Sequence, residues 1–297
     1  MTTALFHATV VAAFGRECLA RVENGELVRC QVRGRQMQPV CGDRVQLARS
    51  SADQAVVEAV APRANEFSRA AHFRRKVLAA NLSQLVILVA CEPSFSDELI
   101  CRMLVVAEHA GLPAVLVLNK VDLVGQRDRA LAMLTPFRGL GYPLVELAGK
   151  VDIEPLRAYL AGFRSLFTGQ SGMGKSTLVK ALVPEAEVRI REISAFLDAG
   201  KQSTTGSRLY ELSPGTEIID SPGLAEFGLA GMDYLHIAAG FREFTPLRGA
   251  CRFQNCRHVN EPGCAVREAA EGGTIHPRRL TLYQRIVLAE EAAGARK

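Results

Sequence analysis

A glycine-rich octapeptide in the middle of the chain carries the clearest chemistry. Its residues are Gly169, Gln170, Ser171, Gly172, Met173, Gly174, Lys175 and Ser176, with Thr177 directly after them. An apolar run at 165–168 precedes it and a helical pattern at 177–182 follows, the context in which G-x-x-x-x-G-K-S binds phosphates. The glycines let backbone N–H groups point at a polyphosphate, and the helix N-terminus attracts anions. We therefore predict a bound nucleotide, with Lys175 on its β- and γ-phosphates and the Ser176 hydroxyl on Mg²⁺.

A second polar motif selects the base. Asn119, Lys120, Val121 and Asp122 follow the apolar run 114–118, and open α/β sheets bind ligands at the carboxyl ends of such strands. The Asp122 carboxylate can accept hydrogen bonds from N1–H and the 2-amino group of guanine. Adenine lacks both groups, so ATP would leave a buried carboxylate unpaired. The motif predicts a guanine nucleotide.

A third motif, D-x-x-G, ends the predicted strand that begins at residue 217. Asp220 is expected to hold Mg²⁺ through its water shell, and the Gly223 N–H to sense the γ-phosphate. The polar segment 200–206 suits a first switch, in which Thr204 or Thr205 supplies a second Mg²⁺ hydroxyl. The sequence leaves the choice between the two threonines open.

The order of these motifs is unusual. N-K-x-D precedes the phosphate loop here, whereas in ordinary regulatory GTPases it follows D-x-x-G, and no second N-K-x-D occurs later in the chain. The order predicts a circularly permuted G-domain. D-x-x-G then leads directly into the C-terminal segment, to which it can pass the nucleotide state.

Four soft ligands cluster near the C-terminus: Cys251, Cys256, His258 and Cys264. They form a complete tetrahedral set for one structural Zn²⁺, with no open position for catalysis. Buried free thiols beside an unrelated histidine are the alternative, and they would require four such residues to gather by chance. The surrounding arginines are interpreted as an exposed RNA or ribosome contact: Arg248, Arg252, Arg257, Arg267, Arg278, Arg279 and Arg285.

Length and composition limit the number of domains and the kinds of partner. The 297 residues, 48% of them apolar, suffice for two or three domains. A net charge of +5 is compatible with an RNA partner but does not require one. The longest apolar run is too short to cross a bilayer, and the first residues lack a secretory pattern, so we expect a cytoplasmic protein with no membrane partner.

The first part of the chain reads as short strands at 8–12, 18–22, 27–32, 43–47 and 55–60, which favours an OB-fold barrel. Its arginines are either a solvated surface or an RNA contact: Arg16, Arg21, Arg29, Arg33, Arg35, Arg44 and Arg49. A basic stretch from Pro62 to Lys76 follows. Such a run is typically a solvated or disordered connector, with an ordering switch or a phosphate contact as the alternatives.

From about residue 77, strands alternate with helices, which predicts a parallel sheet with helices on both faces. The predicted strands are 84–90, 114–118, 143–147, 165–168 and 217–220. The predicted helices are 97–109, 127–137, 153–161, 177–182 and a segment from 276 onward.

With these motifs, the chain resembles the ribosome-small-subunit-dependent GTPase A family, RsgA, over nearly its whole length. The resemblance implies an α/β fold: an OB barrel at 1–65, a circularly permuted P-loop G-domain with a mostly parallel sheet at 66–230, and a mainly helical zinc module at 231–297. It also implies a GTPase acting late in small-subunit maturation and stimulated by that subunit. The implied ligands are GTP or GDP, Mg²⁺ and one zinc ion, and the implied partners are the small subunit and its rRNA. We expect a monomer.

The sequence departs from the family pattern at three places. Gln202 and Ser203 stand where family members carry a switch histidine, Leu224 cannot orient water, and 145–150 lacks the usual S-A-K guanine loop. Slow intrinsic hydrolysis is therefore expected, and no general base is assigned. Two rival functions remain: a P-loop ATPase or kinase, and an RNA-binding module that senses GTP without useful turnover.

Overall fold

The computed structural model describes residues 5–34, 37–51, 53–71, 74–150, 152–184, 206–222, 227–229 and 231–294. Its first five strands form the barrel: β1 Leu5–Phe14, β2 Glu17–Val22, β3 Leu27–Val32, β4 Arg44–Arg49 and β5 Gln54–Val60. They pair in the order β1-β2-β3-β5-β4, and β4 closes the barrel by pairing with β1. A register shift between Val10 and Ala12 marks a bulge that bends β1 between its neighbours. The predicted OB-like barrel is confirmed.

The second sheet contains β8 Gln84–Ala90, β9 Ala114–Asn119, β10 Leu144–Leu147, β11 Arg164–Gly169, β12 Arg208–Ser213 and β13 Thr216–Asp220. Its order is β10-β9-β8-β11-β13-β12, parallel except for the antiparallel β12. Every residue of β8 is buried, as expected for a central parallel strand. β12, which the sequence did not reveal, also pairs with β1 through Arg208 and Ala12, so barrel and sheet are continuous.

In the described part of the chain, the helices between these strands are α1 Asp97–His109, α2 Val124–Leu134, α3 Glu154–Leu160 and α4 Lys175–Leu182. α1 begins where predicted because the Ser96 hydroxyl accepts the Leu99 N–H at 3.2 Å. α2 begins earlier than predicted, and its last predicted turn is a separate 3-10 helix, Thr135–Phe137.

The basic stretch after the barrel was wrongly expected to be a solvated or disordered connector. It forms an antiparallel hairpin of β6 Glu66–Ala71 and β7 Arg74–Ala80. Its buried end supplies the reason, since Phe67 is buried and stacks on Phe227 with ring centroids 5.3 Å apart. The Ala80 N–H also donates to the Cys41 carbonyl at 2.9 Å, which ties the hairpin to the barrel.

The C-terminal segment is mainly helical, as predicted. It contains α5 Tyr234–Ala239, a 3-10 helix Arg242–Leu247, α6 Ala265–Glu271 and α7 Pro277–Gly294. α5 and α7 pack on α1. Gly240 permits this approach, because a Cβ there would lie 2.7 Å from Cα of Val105. None of the described helices combines the length and the apolar character needed to cross a membrane.

Candidate nucleotide site and metal centre

The phosphate loop lies between β11 and α4, as the motif predicts. Gly174 precedes the first residue of α4 with φ of 91°, and a Cβ on it would lie 2.3 Å from Nδ2 of Asn119. Gly169 is equally constrained, since a Cβ there would lie 2.3 Å from the carbonyl oxygen of Leu88. The glycines therefore allow β8, β9 and the loop to come together. The first N–H groups of α4 have no partner inside the helix and provide donors for phosphate.

Asp220 lies beside this loop. β13 runs parallel to β11 with Asp220 opposite Phe167, and the Ser221 hydroxyl donates to the Phe167 carbonyl at 2.7 Å. The Lys175 ammonium forms an ion pair with the Asp220 carboxylate. The predicted phosphate-binding lysine and the predicted Mg²⁺-binding carboxylate are thus in direct contact.

Asn119 joins three segments of the site. Its Nδ2 donates to the Met173 carbonyl at 3.0 Å, and its Oδ1 accepts from the N–H groups of Lys120 at 2.8 Å and Gly149 at 2.9 Å. The side chain is 2% exposed. A buried amide with all these bonds satisfied fixes the strand end, the phosphate loop and the 148–150 segment relative to one another.

Lys120 adds a second link. It adopts a left-handed conformation with φ of 62°, and its ammonium donates to the carbonyls of Gly172 at 2.8 Å and Glu92 at 2.6 Å. Asn119 and Lys120 therefore connect the end of β9 to the phosphate loop by hydrogen bonds. Asp122, two residues later, is exposed rather than buried.

The other residues of the phosphate loop differ in how far their side chains are exposed. Ser171 and Ser176 are exposed, and Thr177 is half-buried. The Met173 side chain is 1% exposed and packs in the core, so only its backbone can face a ligand. Gln170 accepts the Ser96 N–H at 2.7 Å, which fastens the loop to the N-terminus of α1.

The four soft ligands of the C-terminal segment converge. The Nδ1 atom of His258 lies 3.5 Å from Sγ of Cys251, 3.6 Å from Sγ of Cys256 and 3.3 Å from Sγ of Cys264. Zn–S bonds of about 2.3 Å and a Zn–N bond of about 2.0 Å in a tetrahedron require N···S separations of about 3.5 Å. All four ligand atoms lie within 4.8 Å of one another. The cluster fits a tetrahedral metal ion.

Glu261 shapes the backbone around His258. Its carboxylate accepts the N–H groups of Arg257 at 3.1 Å, Val259 at 2.9 Å and Asn260 at 3.1 Å. Burial alone would raise the pKa of Glu261, but hydrogen bonds from its own backbone N–H and from those three N–H groups lower it to about 2. Burial lowers the pKa of His258, which favours the neutral imidazole that a metal needs.

Comparison with known proteins decides the family. Residues 60–230 match the model of the RsgA GTPase family. The chain belongs to the RsgA GTPase family. The protein called small ribosomal subunit biogenesis GTPase RsgA in Nitrosomonas europaea is 44% identical to this chain over 281 residues. The match covers 94% of this chain and 90% of that protein. The one in Bordetella pertussis is 45% identical over 291 residues, covering 97% and 96%.

Solved structures agree with the RsgA assignment. YjeQ from Thermotoga maritima superposes with a TM-score of 0.76 at 28% identity, covering 97% of this chain and 99% of that protein. YloQ, described as a circularly permuted GTPase, superposes with a TM-score of 0.72, covering 98% and 96%. At 22% identity, YloQ supports the fold alone. The predicted resemblance and permuted fold are confirmed.

Several RsgA-type predictions fall outside the described residues. These are the switch positions Gln202, Ser203, Thr204, Thr205, Gly223 and Leu224, and the barrel arginine Arg35. Of the remaining site predictions, Asn119 and Lys120 contact the loop, Lys175 contacts Asp220, and the four soft ligands form the metal cluster. Sequence reasoning missed two contributors. Gly149 contacts Asn119 only through its backbone, and Ser96 contacts Gln170 only through its N–H, so neither carries a side-chain signal.

The prediction that Arg279 belongs to an exposed RNA or ribosome contact is wrong. Arg279 is 1% exposed and forms an ion pair with Glu243 at 2.5 Å. Its guanidinium lies 4.3 Å from the ring centroid of Phe241 and 5.1 Å from that of Phe137. The guanidinium also donates to Sγ of Cys101 on α1 at 3.0 Å. A guanidinium buried in this way is unavailable to RNA.

Proposed function

We propose that this protein binds GTP and hydrolyses it to GDP and phosphate late in maturation of the small ribosomal subunit, with the subunit stimulating the reaction. Membership of a GTPase family makes the chain a GTP hydrolase. The observation that carries the proposal is the convergence of Lys175, Asp220 and Asn119 on the loop between β11 and α4.

Each predicted residue has a role in this proposal. Backbone N–H groups from Gly169 to Thr177 surround the phosphates, and Lys175 neutralises them. Ser176 and Asp220 would hold Mg²⁺, which supplies charge neutralisation when bound, and Thr204 or Thr205 would supply a second hydroxyl ligand. The Gly223 N–H would sense the γ-phosphate. Asn119 and Lys120 connect the end of β9 to the phosphate loop, and Asp122 selects guanine. The loop 148–150 would contact the base edge, because Gly149 is bonded to Asn119.

The organisation follows from the same proposal. We divide the chain into a barrel at 1–65, a G-domain at 66–230 and a metal module at 231–297. The Cys251, Cys256, His258 and Cys264 cluster would hold one structural zinc ion, since its ligand spacing fits and leaves no open position. The protein would act as a cytoplasmic monomer that contacts small-subunit rRNA.

Phosphate release from GTP and from ATP tests the nucleotide assignment. We expect release from GTP only, and loss of release in Lys175→Ala. The matched control is Lys180→Ala, an exposed lysine on the same helix, which should keep activity. Equal turnover of ATP would overturn the guanine assignment and favour the rival ATPase or kinase.

A second function rests on Leu224 and Gln202, which stand where water-positioning residues are expected. A GTP-gated RNA-binding factor would bind GTP and small subunits yet release no phosphate. Subunit-stimulated release would exclude it.

A further inference from the structure

The loop between Leu247 and Cys256 differs from the rest of the C-terminal module in what it exposes. We call residues 248–255 the knuckle loop, because it carries Cys251 and leads to Cys256. Phe253, the aromatic residue of this loop, is 41% exposed. Arg248, Arg252, Gln254 and Asn255 beside it are exposed as well.

The two arginines of this loop differ from four other arginines of the module in their ion pairs. Arg242, Arg257, Arg278 and Arg279 are all bound to carboxylates. Within the described part of the chain, neither Arg248 nor Arg252 forms an ion pair. The sequence has no Asp or Glu between Glu243 and Glu261. Two arginines without an ion-pair partner among the described residues therefore lie in the same loop as Phe253.

The geometry of the loop is fixed in advance of binding. The Arg252 N–H donates to the Gly263 carbonyl at 2.9 Å, and the Cys256 N–H donates to the Phe253 carbonyl at 3.2 Å. The Arg252 stem lies over Gly263, where an added Cβ would come within 3.0 Å of Cβ of Arg252. The Arg252 guanidinium carbon is 5.4 Å from the centroid of the Phe253 ring. Preorganised groups lose little conformational freedom on binding.

We propose that the knuckle loop binds single-stranded RNA, with an unpaired base stacked on Phe253 and the adjacent phosphates on Arg248 and Arg252. An exposed ring offers a π-face to any base, and guanidinium groups neutralise the backbone. An acid-free cationic surface disfavours a basic partner, and Phe253 would add nothing to purely electrostatic contact. This inference names one contact within the proposed ribosomal function and can be tested apart from GTP hydrolysis.

The test measures the affinity of the full-length, zinc-supplemented protein for a short fluorescent single-stranded RNA. Phe253→Ala should weaken binding by about 5- to 100-fold, whereas Phe253→Tyr should retain it. Arg252→Gln should lower the slope of log affinity against log salt by about 0.7, the contribution of one phosphate contact. The control is Arg129→Gln, an exposed arginine on α2, which should change neither quantity.

Two further measurements keep the outcomes distinct. Heparin is a polyanion without bases, so Phe253→Ala should leave heparin binding unchanged. Equal loss of heparin and RNA binding, unchanged RNA affinity in Phe253→Ala, or the absence of binding to single-stranded RNA would each overturn the inference. Phosphate release from GTP with small subunits is assayed in parallel. If small subunits still accelerate phosphate release in any of those cases, the proposed RNA contact of the knuckle loop is wrong and the proposed GTPase function is unaffected.

Discussion

At the scale of single residues, the nucleotide site depends on backbone geometry as much as on charged side chains. Asn119 reaches the loop only because Gly174 has no Cβ, and it reaches the 148–150 segment only through the Gly149 N–H. The motifs identify these positions from sequence. The distances show that Asn119 and Lys120 hydrogen-bond to the phosphate loop, whereas Asp122 is exposed.

Gly174→Ala should abolish nucleotide binding, because its Cβ would clash with Asn119 at 2.3 Å and its φ is 91°. The strain alone is worth about 1–3 kcal/mol. Gly215→Ala is the control: its φ is 77° but nothing lies within 4 Å of its Cβ. Titration of a fluorescent GTP analogue, with the free energy of unfolding of both variants, separates strain from the clash. Normal affinity in Gly174→Ala would contradict the geometry.

Asp122→Asn should weaken GTP binding by about a hundredfold or more, because the amide places a donor where guanine also donates. Xanthosine triphosphate, which carries a carbonyl in place of the 2-amino group, should gain affinity in the same variant. Competition binding of the two nucleotides measures the exchange. A parallel fall in both affinities would mean that Asp122 does not read the base.

At the scale of elements, the barrel and the G-domain sheet are joined by a charge network. The Glu217 carboxylate on β13 accepts from Arg164 at 2.6 Å and also pairs with Arg21 of the barrel. Arg21 contacts Glu211 on β12 at 2.8 Å as well. Glu217 stands three positions before Asp220 on β13, so the same strand carries the barrel contact and the predicted Mg²⁺ ligand.

Glu217→Ala should lower the free energy of unfolding by about 3 kcal/mol, since it leaves two partly buried guanidinium groups without their shared carboxylate. Glu154→Ala provides the comparison. Its side chain is 73% exposed and pairs with Arg157, so its loss should cost about 1 kcal/mol or less. Urea denaturation of both variants measures the difference, and equal effects would show that the network contributes little.

The elements also show what a sequence can and cannot reveal. β3, β8 and α1 begin and end where predicted, because glycine turns and an uninterrupted apolar run are local signals; the structure adds a Ser96 cap at the start of α1. The β6–β7 hairpin was missed because its arginines mask the apolar residues that it buries. Arg279 was misplaced because its partners, Glu243 and two aromatic rings, are brought to it only by tertiary packing.

At the scale of the whole molecule, the C-terminal module rests on α1 through ion pairs along that helix. Arg278 contacts Asp97 at 2.7 Å, and Arg242 contacts Glu108 at 2.8 Å. Glu290 of α7 receives both Arg102 and the Leu229 N–H, at 2.5 Å and 3.1 Å. Leu229, which follows the D-x-x-G motif in the chain, therefore binds the same Glu290 carboxylate that joins α7 to Arg102 of α1.

The metal cluster should stabilise this module. We expect one zinc ion per chain, and Cys264→Ala should lose it together with several degrees of Tm, because structural zinc contributes directly to folding. Cys91→Ala is the control, being a buried thiol outside the cluster. Metal analysis and thermal unfolding are the measurements. A full zinc content in Cys264→Ala would contradict the ligand assignment.

We propose that the small ribosomal subunit stimulates the GTPase activity of this chain. Phosphate release from GTP, measured with and without purified small subunits, tests it most directly. We expect slow release from the protein alone and strong acceleration on adding subunits, with no acceleration for ATP or for Lys175→Ala. Binding to subunits with no faster release of phosphate would contradict the claim.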